Sequence, residues 1–363
     1  MDKIAGIWSR VQRSLFPHLQ ECLPALTERH REVVLVLETI RIEEYVQPGW
    51  MHWLGRKPKD RRALARSFVA KAVYNEPNNK SFRDRLRIDE SLRQICGWER
   101  RCDIPSESTF SRAFGEFAET ALADRVHEAR VKEYLGEDVI WHVSRDSTAI
   151  EAREKPAAKP DKPPKPKRKR GRPKKGEQRR GPEPTRIERQ LGQSYAESIA
   201  ELPTACDVGT KIDSKGSKRH WIGYKLHVDI GDGGIPLSAV TTSASVHDSQ
   251  VAIPLARMTA DRAQSWYDLM DSAYDSKLIC GFCEQLGHVP IIERSERHGK
   301  VEPMETDRDR RYNNRTTVER FNSRLKDGFG GRMVRVRGKP KVHAHLMFGV
   351  LVIFAEALLS LAN

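Results

Sequence analysis

The chain has 363 residues, with 64 Lys and Arg against 50 Asp and Glu, a formal net charge of +14. Residues 151–180 hold 14 Lys and Arg against 4 Asp and Glu, so this stretch supplies +10 of the excess. A basic total implies a polyanionic partner, nucleic acid first of all, and 38% hydrophobic with 31% charged residues excludes fibrous and disulfide-rich secreted classes.

The length suits two domains, one of them with a sizeable core. Six cysteines (Cys22, Cys96, Cys102, Cys206, Cys280 and Cys283) in so long a chain make no disulfide framework, which implies a reducing, cytoplasmic setting. Residues 1–6 show no basic segment leading into an apolar core, so no signal peptide is expected. Leu346 to Ala362 carries one charge, Glu356, and falls short of the roughly 20 residues needed to span a bilayer. It reads as a buried core helix, and no membrane partner is expected.

Residues 1–135 read as a helical N-terminal domain for DNA binding or protomer pairing. Thr27 can cap a helix through Val33, Val34, Leu37 and Ile40. The segments 63–74 and 84–96 repeat the pattern. Pro105 and Ser106 open a helix carrying Phe110, Phe114 and Phe117. It is either the reading helix of a helix-turn-helix, with Ser108, Ser111 and Arg112 facing DNA, or an ordinary amphipathic helix of a bundle.

The pattern changes at Val139, where Val139 to Ser144 is β-branched and aromatic and predicts a buried strand ending at Arg145-Asp146-Ser147. Ile222, Tyr224, Leu226, Val228 and Ile230 alternate with Gly223, Lys225, His227 and Asp229, a second strand. Gly231 to Gly234 turns the chain into a third, Leu237 to Ser243. Asp248 is expected to cap a helix over 249–258, and 266–270 forms a fourth strand ending at Asp271. This order predicts an α/β (α+β) fold with a mixed sheet over 136–363.

The basic stretch interrupts that second domain at 151–185, and its prolines and clustered cations predict a disordered excursion. Within it, Arg170, Gly171, Arg172, Pro173, Lys174 and Lys175 resemble an AT-hook, whose arginines enter the minor groove of A·T tracts, or form a generic polybasic linker.

Three acidic residues make chemical sense together. Asp146 follows the first strand, Asp271 follows the fourth, and Glu319 lies on a helix. Carboxylates so placed can hold two divalent ions that activate a water or 3′-hydroxyl against a phosphodiester, and hard oxygen ligands favour Mg²⁺, or Mn²⁺, over zinc. If Arg311 to Lys326 is one helix, then Tyr312, Arg315, Glu319 and Lys326 fall in a stripe roughly 60° wide. Val318, Phe321 and Leu325 form a separate apolar stripe. The polar face suits a metal ligand flanked by phosphate-binding groups; on an isolated helix it would equally suit a solvated Arg315–Glu319 pair.

The spacing Tyr-x2-Arg-x3-Glu-x6-Lys resembles the mark of bacterial insertion-sequence DDE transposases of the insertion-sequence-four/five type. Asp146-Ser147-Thr148, Gly223 to His227, Val246 to Ser249, Asp271 to Ser276, Gly287 to Pro290 and Gly330 to Gly338 also resemble that family's blocks, in its order. The resemblance covers about 139–355. It implies an RNase H-like catalytic domain with Asp146, Asp271 and Glu319 as the metal-binding catalytic triad. Tyr312, Arg315 and Lys326 would contact DNA at the element's ends. The partners it implies are double-stranded DNA (terminal inverted repeats and target) and a second copy of the chain, in a bacterial cytoplasm on the nucleoid. A non-catalytic DNA-binding derivative and a structure-selective nuclease are the alternatives.

Cys280, Cys283 and His288 have partial zinc spacing, but a packed helix explains the two cysteines more simply. Asp275 reads as a cap of the helix that follows it. His343 and His345 read as core-edge residues.

Overall fold

The computed structural model describes every residue except 1–5, 8, 24, 47–57, 159–182, 213–215, 295–302 and 363. The first half is helical: α1 Phe16–Cys22, α2 Glu28–Ile40, α3 Arg61–Val73, α4 Asn79–Ile88, α5 Glu90–Ile95, α6 Glu107–Glu119 and α7 Leu122–Leu135. Its starts follow capping chemistry. Thr27, Asp60, Asn78, Asp89 and Ser106 each accept a first-turn backbone N–H, satisfying donors that the helix itself leaves open.

The second half contains β1 Val139–Glu151, α8 Arg186–Gly192, α9 Tyr195–Ala200, β2 Asp207–Ile212, β3 Lys218–Ile230, β4 Pro236–Ser243, α10 Ser249–Ala260 and β5 Gln264–Met270. These are followed by α11 Lys277–Gln285, β6 Val289–Ile292, α12 Thr306–Tyr312, α13 Thr316–Gly328 and α14 Lys339–Leu361. The sheet runs β2-β3-β1-β5-β6, and β4 joins β3 beyond the end of β2. β1 pairs antiparallel with β3 and parallel with β5, and β5 pairs parallel with β6. A helical part followed by a mixed sheet with helices on it is the RNase H-like α+β arrangement expected. The edge strands β2 and β6 were not foreseen.

The period-2 pattern of β3 assigns its faces. Leu226, Val228 and Ile230 join the main core with Val318, Phe321 and Leu325 of α13, while Asp229 on the other face meets Thr259 of α10. Gly223 has no freedom to carry a side chain. Its φ is +155°, and a Cβ there would stand 2.1 Å from the Ile150 carbonyl oxygen.

The helix α14 is long and apolar enough to cross a membrane by length and composition, and is mostly buried within the protein. It begins seven residues before the apolar run at Leu346. A helix apolar on nearly every side must be covered on every side, and here α2, α3, α6, α7, α13 and the sheet do so. The core is therefore shared by both halves. Phe68 of α3 packs on Phe110, Phe114 and Phe117 of α6 and on Phe348 of α14, with ring centroids 5.1–6.0 Å apart. Ser108, Ser111 and Arg112 stay exposed on the opposite side of α6.

Candidate active site

Asp146 lies within β1, opposite Val228 of β3, and does not follow the strand. The polar run Arg145-Asp146-Ser147 remains extended because β3 keeps pairing with β1 after β5 has ended. The parallel register Ser144↔Leu269, carried two residues further, sets Asp146 beside Asp271. Asp271 caps a tight turn over Ser272–Tyr274, its Oδ1 accepting the Ala273 N–H at 2.9 Å.

Across this end of the sheet runs α13. Its apolar stripe is buried, and Asn322 donates from Nδ2 to Asp146 Oδ2 at 3.3 Å. The Glu319 side chain is 58% exposed, and its Oε1 accepts from Arg315 Nη1 at 2.8 Å. Arg315 Nη2 also stands 3.7 Å from Asp271 Oδ2. One guanidinium thus lies between the second and third carboxylates. Among the described residues, no three His, Cys, Asp or Glu side chains are gathered closely enough to hold a metal ion as they stand, and Glu319 is turned to Arg315.

The electrostatics are those of a site short of positive charge. Burial pushes the Asp146 carboxyl up to about 6; its bond with the Ser147 backbone opposes the shift and the Asp271 charge adds to it. Burial also raises Asp271, against the Ala273 N–H and Arg315. Four buried polar atoms around these groups have no hydrogen-bond partner among the described residues: Arg315 Nε, Asn322 Oδ1, Tyr274 Oη and His227 Nδ1. Each such atom costs about 1–3 kcal/mol, so their concentration here marks a site completed by something bound. The donor set is carboxylate oxygen throughout, which fits a hard divalent cation.

The expected single helix over Arg311–Lys326 is three pieces. Tyr312 ends α12, Asn313–Arg315 form a tighter 3-10 turn, and α13 starts at Thr316. Tyr312 Oη donates to Glu293 Oε2 at 3.4 Å, within range of the Asp271 and Arg315 charges. Burial lowers the Lys326 pKa, with Arg332 and Lys211 adding to the effect and Asp146 opposing it. Residues Arg170, Gly171, Arg172, Pro173, Lys174 and Lys175 lie outside the described residues.

Asp248 makes no cap bond. Its Oδ1 instead accepts from Ser147 Oγ at 2.8 Å and Lys225 Nζ at 2.9 Å, and its charge reaches both Asp146 and Asp271. Sequence reasoning missed Ser147, Lys225, Tyr274 and Asn322 as neighbours of the site. The alternation of β3 puts Lys225 and His227 on the face away from Val228, the residue that pairs with Asp146, so Lys225 adjoins the site only through Asp248 and Ser147.

Behind Asp146, Arg145 is 1% exposed and chelates Asp229 with bonds of 2.8 and 2.7 Å. Asp268 Oδ1 lies 3.7 Å from the same guanidinium, and His288 Nδ1 is 3.0 Å from Asp268 Oδ2. His288 is therefore tied to this ionic cluster and not to Cys280, and Cys283 is a buried thiol whose pKa burial raises well above normal. The helix after Asp275 starts at Lys277 with Ser276 in the cap position and no side-chain cap bond. His343 bonds Asp124 and Thr241, and His345 bonds the Gly330 carbonyl, as core-edge residues should.

Neither the curated proteins nor the solved structures include a match to this chain. A family model described as Transposase domain (DUF772) matches residues 18–116. The family model described as Transposase DDE domain matches residues 139–355, more than half of the chain. The chain belongs to the DDE transposase family.

Proposed function

We propose that this transposase binds the terminal inverted repeats of an insertion sequence of the four/five type, hydrolyses a phosphodiester at each end and joins the freed 3′-OH to target DNA. Asp146, Asp271 and Glu319 are the catalytic carboxylates. The observation that carries this reading is the register that sets Asp146 beside Asp271, with Glu319 brought to the same place through Arg315.

These three residues would hold Mg²⁺ or Mn²⁺, as a pair of ions, and the bound metal would supply charge to activate the attacking oxygen and to neutralise the leaving one. Asn322 orients the Asp146 carboxylate. Arg315 balances Asp271 and Glu319 in the free protein. Once Glu319 turns inward, the same guanidinium is available to a DNA phosphate. Tyr312 and Lys326 flank the site as further DNA contacts, and the basic stretch with Arg170, Arg172, Lys174 and Lys175 adds contacts to the DNA backbone. Both ends of an element must be processed together, so the working form is a homodimer on DNA at the bacterial nucleoid.

The test is a nicking and strand-transfer assay on duplexes carrying the element's ends. Asp146→Asn, Asp271→Asn and Glu319→Gln should each abolish Mg²⁺-dependent products while leaving DNA binding intact. Wild-type rates in any one of the three would remove that residue from the triad.

A further inference from the structure

The segment between α13 and α14 reads Met333-Val334-Arg335-Val336-Arg337-Gly338. Val334 is buried and Val336 packs against the same core, so in this extended stretch the alternation turns Arg335 and Arg337 outward together. Gly338, at φ +81°, turns the chain into α14 while its N–H bonds Glu154. That turn places Lys341 in the first turn of α14. Arg337 Nε also donates to the carbonyl of Arg153, just beyond the end of β1.

Arg153, Arg335, Arg337 and Lys341 line one cleft of about 420 Å³, closed on the other side by Asn79 and Ser111 of the N-terminal helices. No carboxylate lines it, and among the described residues none of the four cations forms an ion pair. The neighbouring carboxylate, Glu154, is taken up by Tyr224 and the Gly338 N–H, so the like charges repel one another, whereas elsewhere on this protein surface arginines are commonly paired. A polyanion resolves that repulsion.

Resting on the proposed function, we infer that this cleft is a second, non-catalytic phosphate-binding track for the DNA duplex. It takes one sugar–phosphate strand between the Arg335–Lys341 segment and α6. Ser111 and Asn79 supply neutral hydrogen-bonding groups beside the cations, as backbone contacts to phosphate commonly do. Arg153 follows Asp146 by seven residues, the last two past the end of β1 and into a bend, so the two lie at most roughly 23 Å apart at the usual rise. A bound duplex would therefore pass the cleft within about seven base pairs of the site of chemistry.

Full-length protein and a labelled mixed-sequence duplex of about 30 base pairs test this by fluorescence anisotropy across a salt series. Arg335→Ala with Lys341→Ala should lower the slope of log K against log[salt] by about 1.8, two phosphate contacts' worth. Arg335→Lys with Lys341→Arg should restore the slope. Both residues are exposed, so the thermal midpoint should stay at the wild-type value. If the wild type binds and the alanine pair binds with an unchanged slope, the cleft is not a phosphate track and the transposase reading stands. If the wild type does not bind duplex DNA at all, that reading fails and the cleft inference falls with it.

Discussion

Arg315 and Glu319 are hydrogen-bonded across one turn, Nη1 to Oε1 at 2.8 Å, and the same guanidinium stands 3.7 Å from Asp271. The first contact is an i,i+4 pair of the helix; the second follows from the packing of the 3-10 turn over Asn313–Arg315 against β1 and β5. Arg315 therefore supplies positive charge to Asp146 and Asp271, and it restrains Glu319, the third of the proposed catalytic carboxylates.

Replacing Arg315 with Ala removes a charge that lowers the pKa of both Asp146 and Asp271. Asp146 already sits at about 6, and losing the cation raises it further. At a given pH less of the carboxylate is then ionised, so the acid limb of the Mg²⁺-dependent cleavage profile should move to higher pH. Glu319 is the exposed end of its pair with Arg315, and an i,i+4 pair is worth only about 0.3–0.5 kcal/mol, so losing this contact should move the melting midpoint little. A limb that stays where the wild type has it would show that Arg315 does not tune these acids.

Arg145 lies at the centre of the sheet, with Asp229 on β3 and Asp268 on β5 as its counter-ions. Arg145→Met leaves two fully buried carboxylates without their cation, and breaking a buried pair from one side costs about 3–5 kcal/mol. Urea unfolding should show a loss of that order. Arg145→Lys keeps the charge but not the two-pronged bond to Asp229, so it should fall between. An Arg145→Met variant as stable as the wild type would mean that these acids are protonated in the folded protein.

Much of the site was legible because its parts lie at ends of regular elements. The run Trp266–Met270 is apolar enough to be a strand, so Asp271 was placed correctly, and the apolar stripe of Val318, Phe321 and Leu325 oriented Glu319. Asp146 was put past its strand because local β-propensity drops at Arg145. What extends β1 is its pairing with β3, a tertiary effect that propensity does not contain. The 3-10 break carried a weak signal, the adjacent Asn313 and Asn314, both poor helix formers. β2 and β6 are short, and β6 contains Pro290, so neither offered a periodic pattern. Asp248 was assigned to capping because its position fits one; only the fold brings Ser147 and Lys225 to its carboxylate.

Gly223 pairs with Glu151 at the end of β1 and with Asp207 of β2. In Gly223→Ala the new methyl group meets the Ile150 carbonyl at 2.1 Å, in a backbone conformation at φ +155°. The three atoms it would meet, Ile150 O, Ala152 N and Glu151 Cα, are all backbone, so the strands must separate locally, a strain of about 1–3 kcal/mol or more. The melting temperature should fall, with hydrogen exchange quickening first at Ile150 to Ala152. Protection there equal to wild type would show that the sheet absorbs the methyl group elsewhere.

Lys71 is buried on α3 beside α14, and burial pushes its pKa down to about 8, with Glu76 opposing. The unfolded chain binds this proton up to about 10.5, so between the two values the unfolded state holds more protons and stability rises with pH. The charged Lys71 is thus an unfavourable contribution that is full below pH 8 and gone above 10.5. Lys71→Met should stabilise the protein at pH 7 by on the order of 3 kcal/mol. The advantage over wild type should shrink steadily as melts are repeated towards pH 10. His345 gives a second readout, because Lys71 helps burial hold its pKa down at about 4; in Lys71→Met the imidazole should titrate at higher pH by NMR. An advantage independent of pH would place the gain in packing alone and leave the buried ammonium without an electrostatic cost.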